Sequence, residues 1–242
     1  MTRLLLDAGN TRLKWAVGTG DRWQAQGAAH YDDLAPLAAW HAPQTQVYVA
    51  SVTNDENERR LRSWFEATGM AVRWLGAEAV FGEVRNAYTV PERLGVDRWM
   101  ALIAARARSR AASLVVSAGT ALTIDALSAA GEFMGGLVVP GGNMMRTALQ
   151  EGTARVGHGE GQWQDFPRRT EDAVETGIVA ALCGAIASQY DRLARAAGDC
   201  PHCFLTGGDA IRLLPHLGMA VEHVPALVLE GIDCVARKEA SA

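Results

Sequence analysis

The sequence predicts an α/β fold made of two similar halves, because one strand–turn–strand pattern occurs twice. In the first half, an apolar run at 4–6 enters a polar turn, 7–11, and then residues 13–17, where apolar and polar side chains alternate. Residues 115–125 repeat this order about 110 residues further along, again with a small-Gly-Thr turn. A continuous apolar run is typical of a strand buried on both faces, and alternation is typical of a half-buried strand. The repeat therefore indicates a duplicated domain.

The turn after the first strand contains residue types suited to binding phosphate. Gly9 has no Cβ to keep a bulky anion from the backbone, and Asn10 tolerates a positive φ. Asn10, Thr11 and Lys14 supply amide, hydroxyl and ammonium donors, and Asp7 places an acid beside them. The same residue types also form ordinary hairpin turns, so this stretch alone leaves both interpretations open. The second, similar turn favours a nucleotide bound between the two copies.

Asp97 lies at the start of a predicted helix and follows a long segment, 80–96, that we interpret as an ordered loop. A loop of this length in a compact domain is usually functional. An acid in the first turn of a helix can be catalytic, yet acids are also favoured there because they oppose the helix dipole and cap free amides. Arg98 can attract a substrate carboxylate or pair with a neighbouring acid, and the two roles are not exclusive.

Composition and charge favour a compact enzyme without nucleic-acid or membrane partners. Of the 242 residues, 49% are hydrophobic, which is ample for a buried core, and the net charge is −4 with no run of Lys and Arg. No apolar stretch approaches the roughly twenty residues of a membrane span. The start of the chain has one basic residue and an acid after three leucines, which is unlike a signal peptide. We therefore expect a cytoplasmic protein.

The four cysteines do not form a convincing redox or zinc motif. Cys200 and Cys203 have Cys-x-x-Cys spacing, but they follow a predicted helix and lead into a strand, the reverse of the order in thiol-disulfide oxidoreductases. No second ligand pair lies at zinc spacing. We interpret this motif as a connecting loop, and Cys183 and Cys234 as buried apolar residues of helices.

Hydrophobic periodicity and turn residues predict the remaining elements. Strands are expected at 22–28, 46–51, 71–75, 133–140 and 203–206, helices at 31–41, 54–67, 144–151 and 170–196, a helix from 96 onward, and a last strand and helix within 221–238. Asn54 and Thr170 are the expected N-caps of their helices. Residues 152–167 are expected to be a mobile polar loop, with His158 solvated. Small residues such as Gly177 and Gly184 line one side of the longest helix, which suits either packing on the sheet or a dimer contact.

Five motifs together resemble one enzyme family. They are Asp7-Ala8-Gly9-Asn10-Thr11, Pro91-Glu92-Arg93-Leu94-Gly95-Val96-Asp97-Arg98, Gly119-Thr120-Ala121-Leu122-Thr123-Ile124-Asp125, Gly135-Gly136-Leu137-Val138-Val139-Pro140-Gly141 and Thr206-Gly207-Gly208-Asp209-Ala210. The chain resembles the type III pantothenate kinases, of the acetate and sugar kinase, Hsp70 and actin superfamily, over nearly its whole length. The second motif, in this order with the others, is specific to the type III kinases. The resemblance implies two ribonuclease-H-like domains, 1–112 and 113–242, with an ATP cleft between them.

The resemblance also implies an activity and a set of site residues. The activity is ATP-dependent phosphorylation of pantothenate to 4′-phosphopantothenate, the first step of coenzyme A biosynthesis, by a homodimer that uses Mg²⁺. Asp97 corresponds to the general base, and Asp7 to the residue that holds Mg²⁺ through water. The residues implied for ATP and its phosphates are Asp7, Gly9, Asn10, Thr11, Arg12, Lys14, Gly119 and Thr120, and those implied for pantothenate are Tyr88, Gly95, Val96, Asp97, Arg98 and Thr170.

One position departs from the family pattern. In many type III kinases the residue three before the Thr of the second hairpin is an Asp that helps to bind an activating monovalent cation, K⁺ or NH₄⁺, and here that residue is Ser117. A hydroxyl offers one neutral oxygen where a carboxylate offers a full charge and two oxygens. We expect a weakened cation site, although nearby carbonyl groups could suffice.

Two other classes of function remain as alternatives. Sugar kinases and phosphatases share the fold, but they usually carry larger inserted subdomains, for which 242 residues leave little room. Some relatives were first described as accessory factors for gene expression, so a noncatalytic regulator is the second alternative. The presence of Asp7, Asp97 and Thr120 argues against a dead enzyme, and the lack of a basic helix-turn-helix argues against direct DNA binding.

Overall fold

The computed structural model describes residues 2–153, 156 and 158–241, and the chain folds as two compact units. The first unit comprises Met1–Arg108 together with Ala226–Ala242, and the second comprises Ser109–Pro225. The division expected from sequence, at 112/113, differs from these units at the end of the chain. The last helix packs with the first unit and not, as expected, with the second.

The first unit contains a five-stranded mixed sheet. Its strands are β1 (Thr2–Ala8), β2 (Leu13–Thr19), β3 (Arg22–Ala29), β4 (Thr45–Ser51) and β5 (Val72–Trp74). Their order is β3-β2-β1-β4-β5, in which the first three are antiparallel and β4 and β5 continue parallel to β1. The apolar run at 4–6 is fully buried in β1, as predicted for a central strand that is covered on both faces.

The helices of the first unit include α1 (Ala35–Ala38), α2 (Asp55–Thr68) and α3 (Val96–Arg108). The prediction of a helix over 31–41 was wrong in extent, because α1 is a single turn. Asp33 accepts a hydrogen bond from the Ala35 N–H at 3.1 Å, and Pro36 stands in the first helical turn. Proline has no N–H to donate and is tolerated only at a helix start, so the helix cannot begin earlier.

Asn54 caps α2 as predicted. Its side chain accepts a hydrogen bond from the Asn57 N–H at 2.9 Å. The segment 80–96, expected to be a loop, contains the short strands β6 (Val80–Phe81) and β7 (Val84–Asn86) and a 3-10 helix, Pro91–Arg93. The segment is ordered by Asn86, which is buried. Its amide donates to the Pro91 carbonyl at 3.0 Å and its side-chain oxygen accepts from the Tyr88 N–H at 3.1 Å.

The second unit repeats the strand plan of the first. Its strands are β8 (Ser113–Ala118), β9 (Ala121–Leu127), β10 (Glu132–Pro140), β11 (His202–Thr206) and β12 (Glu222–His223), and its helices are α4 (Gly142–Gly152), α5 (Thr170–Ala197) and α6 (Ala210–Leu213). The strand order is β12-β11-β8-β9-β10, with β8, β9 and β10 antiparallel and β11 and β12 parallel to β8. Each unit therefore has three antiparallel strands followed by two parallel ones. This confirms the duplication predicted from the two hairpins.

Helix α5 forms much of the core of the second unit. Its buried residues include Val174, Ile178, Leu182 and Ile186, which join the apolar cluster of β8, β9 and β11. By length and composition alone this helix could cross a membrane, but core helices of soluble proteins pass the same test. The N-cap is Arg169 and not Thr170, which is the first helical residue. No side chain caps this helix, but Glu171 and Asp172 in its first turn interact favourably with the helix dipole.

The end of the loop 152–167 is fastened to α5. The buried Asp172 carboxylate accepts a hydrogen bond from the Gln162 N–H at 3.0 Å, and the Thr176 hydroxyl accepts one from the Gln164 N–H at 3.1 Å. His158 is exposed, as expected. Ala154, Arg155 and Gly157 of this loop lie outside the described residues.

The last helix, α7 (Leu227–Ala240), packs in the first unit because of one close approach and one buried ion pair. A Cβ at Gly231 would stand 1.9 Å from the Met100 carbonyl oxygen of α3, so the two helix backbones touch. The Asp233 carboxylate is buried and accepts hydrogen bonds from Arg3 of β1 at 3.0 Å and from the Trp23 indole of β3 at 3.2 Å. These partners fix α7 to the first sheet.

All four cysteines are free thiols. Burial raises the pKa of the Cys203 thiol to about 12, which keeps it protonated and unreactive. Cys203 begins the buried part of β11, whereas Cys200 is exposed in the connection before it. Cys183 is buried as expected, and Cys234 is only partly buried. Cys200 thus lies in the connecting segment expected from sequence, whereas Cys203 belongs to the strand that follows it.

Candidate active site

The first phosphate-type turn joins β1 to β2 and is held by hydrogen bonds to its backbone. The Gly9 N–H donates to the Arg12 carbonyl at 3.2 Å, and the Val52 N–H donates to the Ala8 carbonyl at 3.0 Å. Asn10, Thr11 and Arg12 are exposed. Among the described residues, only glycines have a positive φ, and Gly9 is not one of them. Asn10 therefore does not use the positive φ that it tolerates, and the turn is formed with ordinary backbone angles.

Asp7 is a buried acid next to a base and a second acid. It pairs in register with Lys14 across β1 and β2 and is 9% exposed. Burial raises its pKa to about 6, the Lys14 charge opposes this rise, and the Asp97 charge adds to it. The structure thus brings Asp7, Lys14 and Asp97 within electrostatic reach of one another. A carboxylate whose pKa is raised toward neutral pH is typical of a functional site.

Asp97 lies in the first turn of α3 with its carboxylate folded over the preceding backbone. Its Oδ1 accepts a hydrogen bond from the Arg98 N–H at 2.8 Å, which is the capping interaction that the sequence left open. Burial raises the Asp97 pKa, while the Arg98 N–H and the Arg98 charge lower it. A Cβ at Gly95 would stand 2.7 Å from Asp97 Oδ1, so only glycine leaves room for the carboxylate.

Tyr88 and Arg98 form a polar and aromatic surface in the same unit. The Arg98 guanidinium donates to the Tyr88 hydroxyl at 3.1 Å and lies 5.8 Å from the centre of its ring. Arg98 is buried, at 9% exposure, although it is charged. Arg98 also lowers the pKa of Asp97, which is one of the two roles considered from sequence, while binding of a substrate carboxylate by Arg98 stays a prediction. Val96, which follows Gly95 and begins α3, is also buried.

The second hairpin turn is enclosed by two glycines whose roles the sequence did not reveal. A Cβ at Gly141 would stand 2.3 Å from the Gly119 carbonyl oxygen, and one at Gly207 would stand 2.1 Å from the Ala118 carbonyl oxygen. Gly207 also has φ +101°, and the Gly141 N–H donates to the Thr120 carbonyl at 3.0 Å. Glycine is required at both positions for the backbones to meet. Both belonged to recognised motifs, but only the folded chain shows what they contact.

The remaining predicted site residues are distributed between the units. Ser117 lies in β8, in register with Thr123 of β9 and Thr206 of β11, and Thr170 is exposed at the start of α5. Gly119 and Thr120 lie in the turn between β8 and β9. Within the part of the chain that the structure describes, no group of three or more His, Cys, Asp or Glu residues could hold a metal ion by itself.

The strand plan and its two polar turns define the class of protein. The fold resembles that of MreB5 of Spiroplasma citri bound to AMPPNP, at TM-score 0.52 and 10% identity over 99% of this chain and 97% of that one. It also resembles a Campylobacter jejuni protein provisionally described as a Baf family transcriptional activator, at TM-score 0.64 and 20% identity over 99% and 100% of the two chains. The chain has the two-domain α/β fold of the actin-like ATPases and sugar kinases.

Sequence relatives define the family within this class. The family model for type III pantothenate kinase matches residues 3–192. A type III pantothenate kinase of Thiobacillus denitrificans is 53% identical over 235 residues, which are 97% of this chain and 96% of that protein. The chain belongs to the type III pantothenate kinase family.

Proposed function

We propose that this chain transfers the γ-phosphoryl group of ATP to the primary hydroxyl of pantothenate, which is the first step of coenzyme A biosynthesis. The observation that carries the proposal is the pair of partly or fully buried acids, Asp7 and Asp97, whose pKa values are both raised in a member of this family. Phosphoryl transfer depends on positioning and charge neutralisation more than on covalent chemistry. One acid serves the phosphate donor and the other serves the acceptor.

Asp97 is the proposed general base. Its raised pKa brings it closer to neutral pH, where a base combines ionisation with a useful affinity for the proton. It would accept the proton of the pantothenate hydroxyl as the oxygen attacks phosphorus. Arg98, held against Tyr88, would attract the pantothenate carboxylate, because a buried guanidinium binds carboxylates through directed hydrogen bonds. Gly95, Val96 and Thr170 are proposed to complete the pantothenate pocket.

The first hairpin turn is the proposed site for the phosphates of ATP. Gly9, Asn10, Thr11, Arg12 and Lys14 would orient their oxygens, and Gly119 and Thr120 of the second hairpin would add further donors. The donor chemistry at Asp7 fits Mg²⁺, which prefers oxygen ligands and commonly uses one or two carboxylates with phosphate oxygens and water. Bound Mg²⁺ would neutralise phosphate charge. The carboxylate of Asp7 would hold the metal ion, and the ammonium of Lys14 would balance phosphate charge from the protein side.

A homodimer is proposed through the exposed side of α5. A Cβ added at Gly177 or at Gly184 would meet nothing within 4 Å, so this side of the helix leaves room for another backbone. Gly184→Glu should convert a dimer into a monomer in sedimentation experiments, because a charged side chain would occupy this space. Ala196→Glu, on the exposed end of the same helix, is the control. An unchanged mass for Gly184→Glu would exclude this side as the contact.

The cytoplasm is the proposed location, which free thiols support.

The proposal is tested by following ADP formation with ATP and either pantothenate or a panel of hexose sugars. Pantothenate should give ADP and an equal amount of phosphopantothenate by mass spectrometry, and the sugars should not exceed the rate without acceptor. Omission of Mg²⁺ should abolish turnover, and replacement of K⁺ by other cations would show whether a monovalent ion is needed. Turnover with a sugar and none with pantothenate would contradict the proposal.

A further inference from the structure

Tyr31 holds the backbone of the first phosphate-type turn from outside the hairpin. Its hydroxyl donates to the Gly9 carbonyl oxygen at 2.7 Å, and the residue is 8% exposed. Tyr31 lies beyond β3, 22 residues after Gly9, and the sequence predicted only that it begins a helix. This hydrogen bond is partly buried, and it orients both groups because leaving either unpaired there would be unfavourable.

A second row of hydrogen bonds supports the phenol. The Thr53 side chain lies within hydrogen-bonding reach of the Tyr31 hydroxyl, and the Asn57 amide donates to the Thr53 hydroxyl at 3.1 Å. Asn57 belongs to the first turn of α2, where Asn54 caps it. Burial raises the pKa of Tyr31, the Thr53 bond lowers it, and the Asp7 charge raises it. The phenol therefore remains a neutral donor at neutral pH.

The peptide group between Gly9 and Asn10 links this phenol to the phosphate-binding side of the turn. A trans peptide is planar, and its C=O and N–H point in opposite directions. Once Tyr31 holds the Gly9 oxygen, the direction of the Asn10 N–H is fixed away from the phenol. Over the described part of the chain, no protein group accepts a hydrogen bond from the Asn10 N–H, and Asn10 is exposed. This N–H is therefore directed outward and available to an anion.

We propose that Tyr31 is a positioning residue for phosphoryl transfer, which orients the Asn10 N–H toward the phosphate oxygens of ATP through the Gly9 carbonyl. The inference rests on the proposed function, in which Asn10 binds phosphate. A neutral phenol can do this beside Asp7 without adding a charge to the site. Thr53 and Asn57 act one step further away, because they hold the phenol and not the turn.

The test is the variant Tyr31→Phe, which keeps the ring and removes the donor. We expect the KM for ATP to rise and the affinity for MgADP, measured by calorimetric titration, to fall by about tenfold, because one neutral hydrogen bond is lost. The KM for pantothenate should stay within about twofold. Thr53→Val should change the KM for ATP and the affinity for MgADP in the same direction by less. The effect of the double variant Tyr31→Phe with Thr53→Val should be smaller than the sum of the two single effects.

Tyr48→Phe is the matched control. Tyr48 is a buried tyrosine of the same sheet whose hydroxyl donates to Gln46 Oε1 at 3.3 Å, away from the turn. It should leave the KM for ATP unchanged. The inference is overturned if Tyr31→Phe binds MgADP like the wild type, if its KM values for ATP and pantothenate rise together, or if Tyr48→Phe raises the KM for ATP as much as Tyr31→Phe does. Wild-type turnover of pantothenate is judged separately, so failure of this inference leaves the proposed function standing, and the MgADP titration decides the role of Tyr31 even without turnover.

Discussion

Gly95 and the carboxylate of Asp97 are in close contact, since a Cβ at position 95 would stand 2.7 Å from Asp97 Oδ1. The Gly95 carbonyl also accepts the Trp99 N–H at 3.0 Å, so the glycine begins the hydrogen-bonding pattern of α3. The same backbone that starts the helix thus sets the position of the proposed base. Any side chain at position 95 must displace either the carboxylate or the helix start.

Gly95→Ala should lower kcat by about 10- to 100-fold, because an error of about 1 Å in the position of a catalytic group can reduce the rate by 10². The measurement is the steady-state kinetics of ADP formation, with the Tm as a check on folding. Gly76→Ala is the control, since Gly76 lies in the same unit and a Cβ there would meet nothing within 4 Å. Equal activity of the two variants would show that the carboxylate can shift without loss.

Asp97→Asn should lower turnover by about 10²–10⁴ while ATP still binds, because the amide keeps the shape and cannot accept the proton. The Asn side-chain oxygen can still accept the Arg98 N–H, so the helix start should persist. Rates are compared at saturating ATP and pantothenate, and MgADP binding is measured separately. Asp55→Asn, an acid in the first turn of α2, is the control. Near-wild-type turnover would remove Asp97 from the mechanism.

Asp7→Asn should raise the Mg²⁺ concentration needed for half-maximal turnover and slow transfer, with little change in pantothenate binding. The physical reason is that a neutral amide binds a hard cation more weakly than a carboxylate. A Mg²⁺ titration at fixed ATP and pantothenate measures the effect. If the variant instead weakens pantothenate alone, the two substrates have been assigned to the wrong ends of the site.

The same variant should be more stable than the wild type at pH 8 without Mg²⁺. Burial raises the Asp7 pKa to about 6, so the folded state binds this proton more tightly than the unfolded chain, whose carboxyl titrates near pH 4. Ionised Asp7 therefore destabilises the fold above pH 6, and the penalty disappears as the pH falls from about 6 to 4. At about 1.4 kcal/mol per pKa unit, the gain is on the order of 3 kcal/mol.

Urea unfolding at pH 8 and pH 5 measures this difference in the free energy of unfolding. The free energy of unfolding of Asp7→Asn should exceed that of the wild type at pH 8 and approach it at pH 5. The exposed Asp55→Asn should differ from the wild type by the same amount at both pH values. A constant difference at both pH values would mean that the charge of Asp7 is not the cause.

Local patterns predicted the elements that contain the proposed site. The apolar run of β1, the polar turn and the Asn54 cap of α2 depend on residues close in sequence, and the structure confirms them. Repetition of the hairpin pattern likewise predicted the shared strand plan of the two units. The extent of α1 could not be deduced from apolar spacing alone, because Asp33 and Pro36 set where it begins.

The features missed from sequence depend on contacts between distant residues. Tyr31 meets Gly9 across a sheet, Gly207 meets Ala118 across two parallel strands, and Arg3 meets Asp233 across 230 residues. No local periodicity encodes such pairs. The placement of α7 in the first unit has the same origin, since the apolar pattern of a helix shows that one face is buried but not which sheet covers it.

The last prediction concerns the monovalent cation and Ser117. Ser117 lies directly opposite Thr123 on β9 and beside Thr206 on β11, so the three side chains share one face of the sheet. The Thr206 hydroxyl donates to the Pro225 carbonyl at 3.3 Å. This face therefore offers hydroxyl oxygens at the position where the family resemblance led us to expect a carboxylate. Neutral oxygens hold a weakly bound ion less firmly than a full negative charge does.

We therefore expect the wild type to depend less on K⁺ or NH₄⁺, or to need a higher concentration for half-maximal activity, than the variant Ser117→Asp. Both proteins are titrated with KCl at constant ionic strength, and the kinetics of ADP formation are followed at saturating ATP and pantothenate. Ser117→Ala separates the hydroxyl from the backbone, because it keeps the carbonyl groups of β8 and removes only the side-chain oxygen. If activation curves of the wild type and Ser117→Asp superimpose, carbonyl oxygens alone hold the ion and the side chain at position 117 has no part in it.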